Sequence, residues 1–260
     1  MYDLAALEDA LTRTIFAGRL RFAPATGSTN ADALEGARDG APHGTVYFAD
    51  EQTAGRGRGS NQWLSTAGDG LYVSVLLRPA LPVARLPLLP LAAGLAAAEA
   101  VRESSGLAVD LRWPNDLLIG SRKAGGILVE AHTEARSVAY AVVGIGINVR
   151  QSGFPADLAT PATSLDVAAG RRVSRQALLI ALLKSLEREA AALADATTVA
   201  SIPRRVEQAS TWVRGRAVEV HGPQACLGVT GGLDENGFLL VGTASGVVTV
   251  QTGGIREYSS

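Results

Sequence analysis

The pattern of the chain changes near Trp212, and that change limits what it can fold into. Upstream, helix-like segments alternate with strand-like runs. Downstream come only short strands divided by turn residues: Ala217–His221, Leu227–Leu233, Gly237–Val241 and Val247–Val250. Asp234-Glu235-Asn236-Gly237 is a strong turn signal between two of them. The reading is an α+β (α/β) domain over residues 1–210 with a small β-barrel appended over 211–260. A chain of 260 residues is long enough to bury a core of that kind.

Within the first region, Leu4, Leu7, Leu11 and Ile15 follow helical spacing behind Asp3 as N-cap. Residues 20–23 read as a strand, and Ser28 or Thr29 caps a helix that runs to about Arg38. Strands are expected at Thr45–Asp50, Leu71–Leu77 (by alternation) and Val109–Trp113. Leu86–Glu103 reads as a buried helix stopped near Gly106. Leu117–Ile119 and Gly126–Ala131 form a hairpin around Gly120-Ser121, and Ser137–Val149 is a long strand. Ser174–Leu193 is an amphipathic helix, and a shorter helix covers 199–209.

Composition excludes several classes. The formal net charge of −1 gives no basic field for nucleic acid. Cys226 is the only cysteine, so an internal disulfide and a cysteine-rich zinc site are ruled out. It is expected as a small buried apolar residue. The first residues lack the apolar run of a signal peptide, and no segment suits a bilayer span, which makes the cytoplasm the expected location.

Gln52-Thr53-Ala54-Gly55-Arg56-Gly57-Arg58-Gly59-Ser60-Asn61-Gln62-Trp63 alternates two arginines with three glycines. Glycine admits a ligand close to the backbone, and arginine offers a charged planar fork for carboxylate or phosphate. The segment reads as a mobile anion-binding loop, against a plain surface turn or an RGG-like nucleic-acid contact. Gly27-Ser28-Thr29-Asn30 sets polar groups at a helix start, where a bare N-cap is the simpler reading. Trp113-Pro114-Asn115-Asp116 is a turn, or an amide and a carboxylate at the mouth of a site. Lys123 precedes Gly125 and Gly126 inside a strand-like run, a mark of close ligand approach. Gly144-Ile145-Gly146-Ile147-Asn148 lacks the third glycine and the following helix of a dinucleotide fingerprint. His43, His132 and His221 form no metal-like pattern.

Each motif is weak alone. Together, in this order and spacing, they closely resemble biotin protein ligases over roughly residues 22 to 258. The resemblance implies a mixed sheet flanked by helices, of the class II aminoacyl-tRNA synthetase type, with an SH3-like C-terminal barrel. It implies an enzyme that makes biotinyl-5′-AMP from biotin and ATP, with Mg²⁺, and passes biotin to one lysine of a biotin carboxyl carrier domain. By motif, Ser28, Thr29, Asn30, Gln52, Arg56, Gly57, Arg58, Lys123 and Gly126 correspond to the biotin site. Arg58, Trp63, Asn115 and Asn148 correspond to the nucleotide side. Lys123, Arg56 and Arg58 stand at the reacting centre. The metal ligands are not identified.

Relatives that repress transcription carry an N-terminal DNA-binding module, and only about 25 residues precede Ser28. A ligase without specific DNA binding is therefore expected. Asn61 stands where many bacterial relatives have arginine. A homodimer is compatible with the resemblance. Three rivals stay open: a lipoate or octanoyl ligase of the same superfamily, a nucleic-acid-binding module, and a non-catalytic biotin sensor.

Overall fold

The computed structural model describes residues 2–258. Its strands are β1 (Leu20–Thr26), β2 (Thr45–Gln52), β3 (Gly70–Leu77), β4 (Asp110–Arg112), β5 (Asp116–Ile119), β6 (Arg122–Glu134) and β7 (Ser137–Asn148) in a first sheet. The sheet order is β1-β2-β3-β7-β6-β5-β4, with β1 and β2 parallel and the other neighbours antiparallel. The helices are α1 (Leu4–Ala10), α2 (Thr29–Arg38), α3 (Leu88–Ser105), α4 (Leu165–Ala169), α5 (Arg175–Ala194) and α6 (Ile202–Gln208).

β3 was expected to alternate, yet all eight of its residues are buried. It is a central strand covered on both faces, so both side-chain sets leave water. Leu71, Val73, Val75 and Leu77 join Leu7 of α1 and the leucines of α3 and α5 in the main core. Leu76 turns the other way and packs with Val142 against Ala33 and Ala37 of α2. α2 thus stands on the opposite face from α3 and α5.

Edges differ from expectation for clear reasons. β1 runs on to Thr26 through Pro24, which an edge strand tolerates because its outer N–H side is unpaired. α1 stops at Ala10, and Leu11 reaches the core from the turns that follow.

A second sheet holds β8 (Arg214–His221), β9 (Cys226–Leu233), β10 (Leu239–Thr243), β11 (Gly246–Val250) and β12 (Gly254–Glu257), in the order β11-β10-β9-β8-β12. It is antiparallel, in keeping with an SH3-like domain, and no pairing between β11 and β12 closes it among the described residues. β12, which is short and begins at a glycine, has no counterpart among the expected strands. Cys226 is half-buried at the start of β9, not enclosed as expected.

The two sheets meet at the expected turn. Trp113 Nε1 donates to the Gly237 carbonyl at 3.0 Å. Gly237 has φ +81°, and a Cβ there would meet Leu91 at 2.6 Å. Only glycine meets both demands. No helix among the described residues is long and apolar enough to cross a membrane.

Candidate functional site

A polar hydrogen-bonded cluster forms where α2 begins against the glycine-bearing end of β7. Ser28 is extended and buried, and its side chain makes no capping bond. Ser28 thus holds the N-cap position as read, but its side chain does not do the capping. Gln52, 23 residues downstream, supplies the cap: its Oε1 accepts from Thr29 N at 2.9 Å and lies 3.1 Å from Thr29 Oγ1. Gln52 Nε2 donates to Ser65 Oγ at 2.8 Å, which fixes the amide's orientation. Thr29 Oγ1 meets Ser74 Oγ at 2.7 Å, and Ser74 donates to Asn30 Oδ1 at 2.5 Å. Thr29, Asn30 and Ser74 are all buried. A Cβ on Gly144 would collide with the Asn30 amide. The glycine is the condition for Asn30 to lie against β7.

The glycine-arginine loop beside this cluster is braced by its own backbone. Gly57 N donates to Asn61 O at 2.8 Å, and Trp63 N to Gly55 O at 2.9 Å. Asn61 Nδ2 donates to Arg58 O at 2.9 Å, so its amide braces the turn. Arg56 Nη2 pairs with Glu130 at 2.6 Å. Arg58 Nη1 donates to Asn115 Oδ1 at 3.2 Å and to the Gly253 carbonyl of the second sheet at 2.7 Å. Burial pushes the Arg58 guanidinium below its ordinary pKa.

Lys123 stands on β6 beside the loop. Its Nζ pairs with Asp116 Oδ1 at 2.6 Å, and Asp116 Oδ2 accepts from Arg112 Nε at 3.1 Å. Burial pushes the Asp116 carboxyl up, but the Lys123 ammonium and the Arg112 guanidinium together bring it below its ordinary value. The Lys123 backbone is clamped by Pro161 O at 2.8 Å and Thr163 N at 2.9 Å. Trp63 brings loop and sheet together. Lys123 Nζ is 5.6 Å from its ring centroid. A Cβ on Gly146 would lie 2.6 Å from Trp63 Nε1, and one on Gly126 would lie 3.4 Å from Cζ3. The two glycines let the indole settle on the strands. Trp63 Nε1 is buried without a partner in this arrangement.

Asn115 Nδ2 donates to Ile127 O at 2.8 Å, and Asn148 Nδ2 to Thr163 O at 3.1 Å. Both amides are thus held at strand ends around Lys123. All the candidate residues read from the sequence gather in one region. A separate cavity of about 420 Å³ lies at the start of α5, lined by Tyr2, Arg150 and Arg175. Arg175 is already spent there on Asp50 at 2.6 Å and Gly70 O at 3.1 Å, and none of the candidate residues lines it.

Sequence reasoning missed Ser74, Glu130 and the reach of Gly253 into the loop. Ser74 carried a faint signal, as a small hydroxyl between two valines. Glu130 lies within the expected Gly126–Ala131 strand, where nothing local marks it. Gly253 carried no signal that the first domain could supply.

The arrangement sets Arg56 and Arg58 on a loop against the strand of Lys123, beside a neutral hydrogen-bonded cluster. It suits a ligand with a polar uncharged head and an anionic end. A family model described as the Biotin/lipoate A/B protein ligase family matches residues 23–148. Among similar proteins, the bifunctional ligase/repressor BirA of Bacillus subtilis is 42% identical over 163 residues, which cover 62% of this chain and 50% of that one. The match thus spans half the length of that relative. The biotin--[acetyl-CoA-carboxylase] ligase of Mycobacterium tuberculosis is 34% identical over 88% of this chain and 85% of its own. Among solved structures, the biotin protein ligase from Aquifex aeolicus in complex with biotin and ATP superposes with a TM-score of 0.80 at 30% identity, covering 93% of this chain and 99% of that one.

Proposed function

The chain belongs to the biotin/lipoate A/B protein ligase family, and we propose that it activates biotin with ATP and transfers it to a lysine of a biotin carboxyl carrier domain. The observation that carries this reading is the joining of the Arg56–Arg58 loop to the Lys123 strand, through Trp63 on Gly126 and Gly146 and through Arg56 on Glu130, next to the Thr29–Asn30–Gln52 network. Relatives named as biotin ligases support biotin over lipoate.

In this reading the ureido head lies against Ser28, Thr29, Asn30 and Gln52. The valerate passes Gly126 beneath Trp63, and its carboxylate meets Arg56, the Gly57 backbone, Arg58 and Lys123. Asn115, Asn148, Trp63 and Arg58 serve the nucleotide side. A carboxylate oxygen attacks the α-phosphorus, a P–O–C(acyl) link forms, and pyrophosphate leaves. Fixed cations lower the repulsion between the two anions and stabilise charge on the α-phosphate oxygens. Arginine keeps its proton, so Arg56 and Arg58 act by charge and hydrogen bonds. The carrier amine then attacks the acyl carbon, and AMP leaves.

Mg²⁺ enters with ATP in this scheme. Among the described residues no group of three or more His, Cys, Asp or Glu side chains could hold an ion. Phosphate oxygens and water would supply most of its ligands. We further propose a domain boundary near residue 210, consistent with β4 and β8 falling in different sheets, and action in the cytoplasm.

The test is transfer of labelled biotin to a carrier domain. ATP-dependent label on one carrier lysine is the expected result. Biotin binding without any transfer would favour the sensor, and labelling by lipoate instead would favour its ligase.

A further inference from the structure

Glu130 has no part in the chemistry set out above, yet two of the site's components meet on it. Asn30 Nδ2 donates to Glu130 Oε2 at 2.8 Å, and Arg56 Nη2 donates to the same oxygen at 2.6 Å. Behind Asn30 stands a chain of the buried Ser74 and Thr29, ending on the half-buried Gln52. The wall of the head-group pocket therefore ends on the carboxylate that holds the loop. Thr29, Ser74 and Asn30 are each tied to their neighbours, so a shift at one is felt by the next. Arg56 has no other hydrogen-bond or ion-pair partner among the described residues.

We propose that Glu130 is a positioning residue that couples filling of the head-group pocket to closure of the glycine-arginine loop. A head group that fixes Asn30 also fixes the Glu130 oxygen, and that oxygen holds Arg56 where the substrate's carboxylate arrives. Glu130 thus occupies Arg56 with a carboxylate of the protein until the ligand's own carboxylate competes for it. Binding at the neutral end then favours the closed loop even before the charged end is engaged, and the effect is reciprocal.

The loop reports on this directly, because trypsin cuts after Arg56. Glu130→Gln keeps an acceptor for Asn30 and removes the charge that holds Arg56. Without ligand, the variant should be cut after Arg56 about fivefold faster than the wild type, the low end of a normal coupling, with cleavage outside the glycine-arginine loop unchanged. Equal rates would overturn the proposal. The second arm rests on the biotin reading and uses biotinol, the alcohol analogue of biotin, which keeps the head and lacks the carboxylate. Biotinol should slow cleavage after Arg56 in the wild type and fail to do so in Glu130→Gln. Equal protection in both proteins, or none in the wild type despite calorimetric binding, would also overturn it. If calorimetry shows that neither biotin nor biotinol binds the wild type, the biotin reading falls, and the ligand-free rates still decide whether Glu130 holds the loop. Glu130→Asp keeps the charge one methylene short, and its cleavage rate should lie between the other two. If Glu130→Gln does not fold, this second variant decides, and a wild-type rate for it would overturn the proposal.

Discussion

The two halves of the site are built on opposite plans. The network proposed to take the head group is neutral and mostly buried, and Thr29, Ser74 and Asn30 satisfy one another, with half-buried Gln52 at its end. The rim is charged, and each cation is already occupied: Arg56 by Glu130, Arg58 by Asn115 and Gly253, Lys123 by Asp116. A buried neutral network is costly to leave half-satisfied, so it is set in place before the ligand comes. A rim of three like charges would repel itself, so it is held on internal acceptors that an incoming anion can replace. In the proposed function the neutral network selects by shape and hydrogen bonds, and the rim reacts to charge.

The comparison breaks most sharply at Lys123. Lys123→Gln removes rim charge while Arg112 still faces Asp116, so the fold should hold. Biotin-dependent pyrophosphate exchange should fall by roughly 10²–10³-fold, the usual effect of losing one preorganised donor at a reacting centre. Exchange within tenfold of the wild type would show that the rim charge is dispensable.

Asp116→Asn tests whether the rim's internal acceptors matter to stability. It leaves Lys123 and Arg112 without their carboxylate and should cost about 3 kcal/mol in denaturant melts at neutral pH. The folded pKa of Asp116 lies below the ordinary aspartate value of about 3.9. Its contribution is therefore present above that value and is lost as pH falls through the folded pKa. The wild type should lose stability in that acid range, and the variant should lose less. Parallel acid limbs would contradict the assignment.

Gly146→Ala touches the contact between the halves. The added methyl would meet Trp63 at 2.6 Å and push the indole off its floor. We expect biotin binding to weaken by about tenfold, near 1.4 kcal/mol, read by calorimetry. Unchanged affinity would show that Trp63 need not rest there. The smallest effect is expected for Arg58→Gly. Its contacts link the loop to Asn115 and the second sheet, so the variant should still form adenylate but release it several-fold faster. Retention at the wild-type rate in a filter assay would remove Arg58 from the closure.

What the sequence made legible follows the same division. The rim could be read, because arginines between glycines and a lysine before two glycines are rare local patterns. The strand and helix order upstream of Trp212 was also clear from periodicity. The pocket was only half legible. Ser28 holds the N-cap position as read, but the capping side chain is that of Gln52 on the neighbouring strand, a contact set by β1–β2 pairing and invisible to local reading. Ser74 was hidden inside a strand whose burial on both faces depends on the whole sheet. β12 and the Gly253 contact depend on how the second sheet lies against the first, which no spacing encodes.

The central claim is that the neutral pocket and the charged rim serve one carboxylate, that of biotin, in an attack on ATP. Exchange of labelled pyrophosphate into ATP, with biotin, biotinol or lipoate as the added compound, tests it most directly. The account predicts exchange with biotin and none with biotinol or lipoate. Exchange driven by lipoate, or none with biotin, would contradict it.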